Sequence, residues 1–105
     1  MGREVVVQEL RKIRLSEAEQ HSVERTLMRI SRSESLVGDV DYLGRDIWEV
    51  RVRLERRILR LLYFMVTEPP LHIVVLAAIK KTPKTPPAWI DLAISRKHKW
   101  LSIDG

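Results

Sequence analysis

Arg51, Arg53 and Arg60 are the residues whose type and spacing most directly suggest chemistry. Each stands in or beside a run of apolar residues. Twenty positions after Arg60 the chain reads Lys80-Lys81-Thr82-Pro83-Lys84-Thr85-Pro86-Pro87, a basic loop broken by prolines. Guanidinium forks match the geometry of phosphate oxygens, and ammonium groups add compact positive charge. Such a set suits a phosphodiester. With the Phe64 ring close by, it suits a single-stranded nucleic acid whose bases can stack. The blander reading packs the arginine stems on Ile58, Leu62 and Phe64 with the heads in water or paired with Glu49, and makes Phe64 a packing aromatic.

The elements that would hold these residues follow from periodicity. Trp48, Val50, Val52 and Leu54 alternate with Glu49, Arg51 and Arg53, a period of two. Residues 58–66 are a near-continuous apolar run, ended by Thr67-Glu68-Pro69-Pro70, and residues 71–79 form a third run. We expect a three-strand antiparallel meander over 47–54, 57–66 and 71–80. An even-length first turn places Trp48, Val50, Val52 and Leu54 on one face with Leu59, Leu61, Tyr63 and Met65. That face is apolar and suits the core. Glu49, Arg51, Arg53, Arg60, Leu62 and Phe64 then share the other face, whereas an odd turn would bury arginines. The same parity carried onward puts Ile73, Val75, Ala77, Ile79 and Lys81 on the Arg60 face, with Lys84 at its rim. Three converging arginines favour an anion site there.

Around the meander, residues 4–10 (EVVVQEL) suggest a short strand with β-branched residues. Ser16 and Glu19 have capping-box spacing, and Val23, Leu27 and Ile30 follow at helical spacing, predicting a helix over 17–32 flanked by Glu24, Arg25, Arg29 and Arg32. Residues 33–46 look like a turn-rich connection. A last helix is expected over 86–100, with Thr85 as N-cap and Pro86 in its first position.

The chain of 105 residues is sized for one domain, 1–105, and its 45% hydrophobic and 31% charged content argues against disorder. It has no cysteine, which excludes disulfides and thiol chemistry. His21, His72 and His98 lack metal-ligand spacing, and Asp39, Asp41 and Asp46 sit in a stretch that turns explain, so no metal and no cofactor are expected. No apolar run is long enough for a membrane helix and the N-terminus does not read as a signal peptide, so a cytoplasmic location is expected. Residues 1–50 carry 8 basic and 10 acidic residues and residues 51–105 carry 11 and 4. A basic half on a near-neutral body points to an anionic partner.

Three pieces of the chain, Trp48-Glu49-Val50-Arg51, Leu59-Arg60-Leu61-Leu62-Tyr63-Phe64 and Lys80-Lys81-Thr82-Pro83-Lys84-Thr85-Pro86, resemble the HigB-type, phage-derived branch of the RelE toxin superfamily. The resemblance covers roughly residues 46–97. It implies an α+β fold, a twisted antiparallel sheet of about four strands with N-terminal and C-terminal helices packed on one face. It implies the toxin of a toxin–antitoxin pair, which enters the ribosomal A site and cleaves mRNA with the substrate's 2′-hydroxyl as nucleophile. The partners implied are a helix-turn-helix antitoxin of HigA type, the ribosome and mRNA. By the same resemblance Arg60 stabilises the scissile phosphate, Lys81 with Lys80 and Lys84 holds phosphate or assists proton transfer, and Arg51 and Arg53 grip RNA backbone. Two positions depart from the family pattern. Leu76-Ala77-Ala78 stands where many relatives carry His-Gly-Phe, and Leu59 precedes the arginine where tyrosine is common.

The leading reading is therefore a metal-independent, ribosome-dependent endoribonuclease, in which Arg60→Ala abolishes cleavage and leaves the fold intact. Its alternative is a non-catalytic RNA- or ribosome-binding module, a degenerate prophage toxin. A phage assembly protein that binds any polyanion is a third reading.

Overall fold

The computed structural model describes residues 2–32, 39–79 and 84–104. Helices α1 (Gly2–Ile13) and α2 (Glu17–Ser31) come first. Strands β1 (Val40–Gly44), β2 (Ile47–Arg53), β3 (Ile58–Thr67) and β4 (Pro70–Ile79) follow, and α3 (Pro87–Asp104) ends the chain. The strands form one antiparallel sheet in the order β1-β2-β3-β4. The α+β class, the four-strand antiparallel sheet and the terminal helices are as expected. Among the described residues no helix is long and apolar enough to cross a membrane.

The first segment is a helix, not the short strand its valines suggested. Val6, Leu10 and Ile13 recur at helical spacing and pack into the core, while Val7 is exposed. That stripe is available only once a helix forms, and it outweighs the mild helix penalty of β-branched residues. The α2 capping box is present. Ser16 Oγ accepts from Glu19 N at 3.1 Å and Glu19 Oε1 accepts from Ser16 N at 2.9 Å. These bonds, together with the Arg57 guanidinium, hold the Glu19 carboxyl below its ordinary pKa.

Strand β1 falls in the stretch read as a turn-rich connection. Its short alternation, Val40 opposite Val50 and Tyr42 opposite Trp48, is masked in sequence by the aspartates and glycines around it. Arg45 and Asp46 join β1 to β2 with φ of 55° and 64°, after Gly44 at 92°. Two positive φ values are what a type I′ hairpin turn requires, and Asn-Gly meets them at less cost. The Lys97 to Asp46 contact, 3.4 Å long on an 81% exposed carboxylate, adds little. Arg45→Asn/Asp46→Gly should therefore raise stability by about 1–2 kcal/mol. Urea unfolding would show it as a higher midpoint at unchanged slope.

The β2–β3 register is the one that parity demands, with Trp48 opposite Tyr63, Val50 opposite Leu61, Arg51 opposite Arg60 and Val52 opposite Leu59. The expected parity holds along the first half of β4, where Ile73 lies opposite Phe64 and Val75 packs with Leu62, and fails beyond it. A bulge between Leu62 and Tyr63 pairs them with Leu76 and Val74, so Val75 is extra. Leu76 and Ala78 consequently share the Arg60 face, and Ala77 and Ile79 lie with Leu61 and Leu59.

Both faces of the sheet are covered. Helices α1 and α2 lie on the face of Val50, Val52, Leu59, Leu61 and Tyr63 through Val6, Val23 and Ile30. Burial there pushes the Tyr63 hydroxyl pKa up. Helix α3 packs against the opposite face, with Ala93 and Ile94 on Leu62, Phe64 and Leu76. The expectation that all helices share one face is corrected here. Ile58, Leu62 and Phe64 make the second face too apolar to leave in water.

Candidate nucleic-acid interface

The residues singled out for phosphate chemistry lie on the α3 side of the sheet. Arg60 is the third residue of β3 and is 2% exposed. Its Nη1 lies 3.5 Å from Glu49 Oε1 on β2 and donates to Thr85 Oγ1 at 3.1 Å. The Thr85 hydroxyl in turn donates to Glu49 Oε2, and Glu49 is 1% exposed. A buried charge is tolerable only when it is paired and hydrogen-bonded, and here Arg60 Nη1, the Glu49 carboxylate and the Thr85 hydroxyl partner one another. Thr85 is thus not the N-cap of α3 but a clamp, and α3 begins one residue later than expected, at Pro87.

The three motif pieces therefore meet at one point, through Glu49, Arg60 and Thr85. The contact fastens Thr85, just ahead of α3, onto the sheet. Lys84, the residue before the clamp, is exposed. Lys80 and Lys81 lie outside the described residues.

The anion that Arg60 meets is the protein's own carboxylate. Glu49 also lies 3.5 Å from Arg51, which bonds Asp41 on β1 as well. The Asp41 bond raises the Arg51 pKa further, outweighing burial. Arg53 reaches Asp39 at 3.3 Å and its side chain is 65% exposed. The expected cluster of three arginine heads is thus divided, with Arg60 sealed inside, Arg51 half-buried and Arg53 in solvent.

Phe64 offers no face to a base. It is 1% exposed, its ring 5.7 Å from that of Trp100 in an edge contact, with the Lys97 ammonium 5.7 Å above it. Its role is to seat α3. His98 is exposed on α3, and His72 lies beside Tyr63 near the β3–β4 turn, so neither stands at the triad. Among the described residues no group of His, Asp and Glu is arranged to hold a metal ion.

A second basic feature went unrecognised in the sequence. Ser22, Arg25, Thr26 and Arg29 on α2 line a cleft of about 270 Å³ together with Asp39 and residues 50–53 at the end of β2. The sequence alone places the two α2 arginines on the flanks of the helix. The signal was present in their spacing, because like charges four residues apart cost a helix about 0.2–0.5 kcal/mol.

A protein-family model described as "Phage derived protein Gp49-like (DUF891)" matches residues 7–98. No curated protein matches the chain.

Proposed function

This chain belongs to the phage-derived Gp49-like family, a RelE/HigB-like toxin family, and from that premise we propose that it is the toxin of a type II toxin–antitoxin pair. It acts as a metal-independent endoribonuclease on mRNA in the ribosomal A site. One observation carries the reading. Thr85 is clamped to the buried Glu49–Arg60 pair, so that Lys84 beside it is held at the surface. In the reaction the substrate's 2′-oxygen loses its proton and bonds to phosphorus, and the bond from phosphorus to the 5′-oxygen breaks. The products are a 2′,3′-cyclic phosphate and a 5′-hydroxyl. Lys84, with Lys80 and Lys81, neutralises charge building on the phosphate and handles the protons. Arg60 acts through the loop that it helps to hold. The ribosome orders the RNA, and positioning supplies much of the acceleration. A helix-turn-helix antitoxin would hold the protein inactive.

The sealed Arg60 and the Leu76-Ala77-Ala78 departure favour one other reading, a ribosome-binding module that has lost its activity. Primer extension on mRNA from a cell-free translation reaction separates the two. The toxin reading expects cuts that need ribosomes and that fall about tenfold or more in Lys84→Ala, the loss expected for one charge-stabilising group. Sedimentation with ribosomes and no cuts would replace it with the second reading.

A further inference from the structure

Thr85 joins the sheet to the start of α3 through one hydroxyl. Its Oγ1 accepts from Arg60 Nη1 at 3.1 Å and donates to Glu49 Oε2, and the residue is 8% exposed. A hydroxyl can accept from a guanidinium and donate to a carboxylate through a single atom. The backbone that follows is constrained as well. Pro86 comes next, and a proline restricts the residue before it to extended backbone. The Pro86 carbonyl accepts from Trp89 N at 3.0 Å as α3 begins, and Trp89 packs against the core under that helix. Lys84 precedes Thr85 and is exposed. The chain beyond Lys84 is therefore tied twice, by the Thr85 hydroxyl and by the anchored first turn of α3. The second tie fixes the helix and leaves open the direction from which the chain reaches Thr85. The hydroxyl is the tie that stands next to Lys84.

We propose that Thr85 is a positioning residue for RNA cleavage: its hydroxyl, held by Arg60 and Glu49, sets where the Lys84 ammonium stands against the substrate phosphate. The proposal rests on the reading of the protein as a ribosome-dependent endoribonuclease, and it names the group through which the buried pair acts on the site. Glu49 and Arg60 are 1% and 2% exposed, so their effect on a phosphate must pass through a residue that reaches the surface. A reacting group misplaced by about 1 Å can cost on the order of 10²-fold in rate. Valine has the shape of threonine without the hydroxyl. Thr85→Val therefore keeps the Glu49–Arg60 pair and the anchored start of α3, and removes only the tie beside Lys84.

The test compares the full chain as wild type, Thr85→Val, Thr85→Ser, Lys84→Ala and Thr85→Val/Lys84→Ala, at a temperature where melts show every variant folded. Titrating excess protein over mRNA-programmed ribosomes gives a maximal cutting rate and a half-saturating concentration separately. We expect Thr85→Val to lower the maximal rate about tenfold or more, with half-saturation within about threefold of wild type. Thr85→Ser restores the hydroxyl and should recover most of the rate. The double variant should cut no more slowly than Lys84→Ala, because a positioning residue then has nothing left to place. Nitrogen-15 relaxation of the free protein reads the same tie without any reaction. The Lys84 order parameter should fall from the rigid range, about 0.85, toward the flexible one, below about 0.6, in Thr85→Val and stay rigid in Thr85→Ser. A folded Thr85→Val that cuts at the wild-type rate overturns the proposal. So do losses that add to those of Lys84→Ala, a Thr85→Ser no faster than Thr85→Val, or an unchanged Lys84 order parameter in Thr85→Val. A wild type without ribosome-dependent cuts overturns the toxin reading instead, and the relaxation measurement then decides alone whether Thr85 holds Lys84.

Discussion

Arg60→Ala is expected to destabilise the protein by about 3–5 kcal/mol, because it takes from the buried Glu49 carboxylate the cation that is buried with it. Glu49 is 1% exposed and Arg60 2%, so water cannot take over the lost contact. Arg51 at 3.5 Å compensates only in part, being engaged with Asp41 as well. A melt should show a fall of more than 10 °C, at roughly 4–8 °C per kcal/mol for a domain of this size. The paired replacement Glu49→Met/Arg60→Met should recover most of the loss, since two apolar side chains of similar volume remove both charges together. A stable Arg60→Ala protein would show that the pair is not held as described. The functional consequence is direct. Loss of cleavage in Arg60→Ala reports unfolding or a released loop, so the expectation of an intact fold does not hold for this variant. Lys84→Ala, at the surface, is the substitution that interrogates the reaction.

Arg96→Met is expected to cost about 2 kcal/mol, the range for losing charge-assisted hydrogen bonds in a partly buried setting. Arg96 on α3 donates to Glu9 Oε1 at 3.1 Å, to Glu9 Oε2 at 3.0 Å and to the Val75 carbonyl at 2.8 Å. Glu9 on α1 also accepts from Ala77 N at 3.0 Å. One ion pair therefore closes the outer edge of β4 and joins the helices on opposite faces of the sheet. Edge strands otherwise expose unpaired amides that invite other chains. The side chains are 18% and 24% exposed, so solvent screens the pair only modestly. Glu9→Gln, which keeps an acceptor for Ala77 N, should lose less than Glu9→Ala. Calorimetric melts of the three variants would rank them, and equal melting points for Glu9→Gln and Glu9→Ala would remove the Ala77 contact from the account.

The fastening between Arg57 and the α1–α2 turn has the same long-range character. Arg57 donates to the carbonyls of Ile13 and Arg14 and to Glu19, at 2.9, 3.1 and 3.1 Å. Its partners lie more than thirty residues away in sequence, and nothing in the local pattern of Glu55-Arg56-Arg57 marks it out. Arg25 and Arg29 were visible as a like-charged pair, but only the fold sets that pair beside the end of β2 in one cleft.

The sequence by itself determined the meander, the β2–β3 register, the α2 cap and the basic character of the C-terminal half. These depend on patterns within a strand, across a short turn or between a cap and its third residue, so neighbouring side chains suffice to express them. Tertiary structure decided the rest. The valines of α1 are compatible with either element until a core is present to receive Val6. The bulge at Leu62–Tyr63 changes backbone pairing without changing hydrophobic pattern, and it alone turned Ala77 and Ile79 to the other face. Whether Arg60 met water, a phosphate or a carboxylate depended on Glu49 and Thr85, which lie 11 and 25 residues away. A buried charge takes its identity from the group that neutralises it, and only the folded chain brings that group within reach.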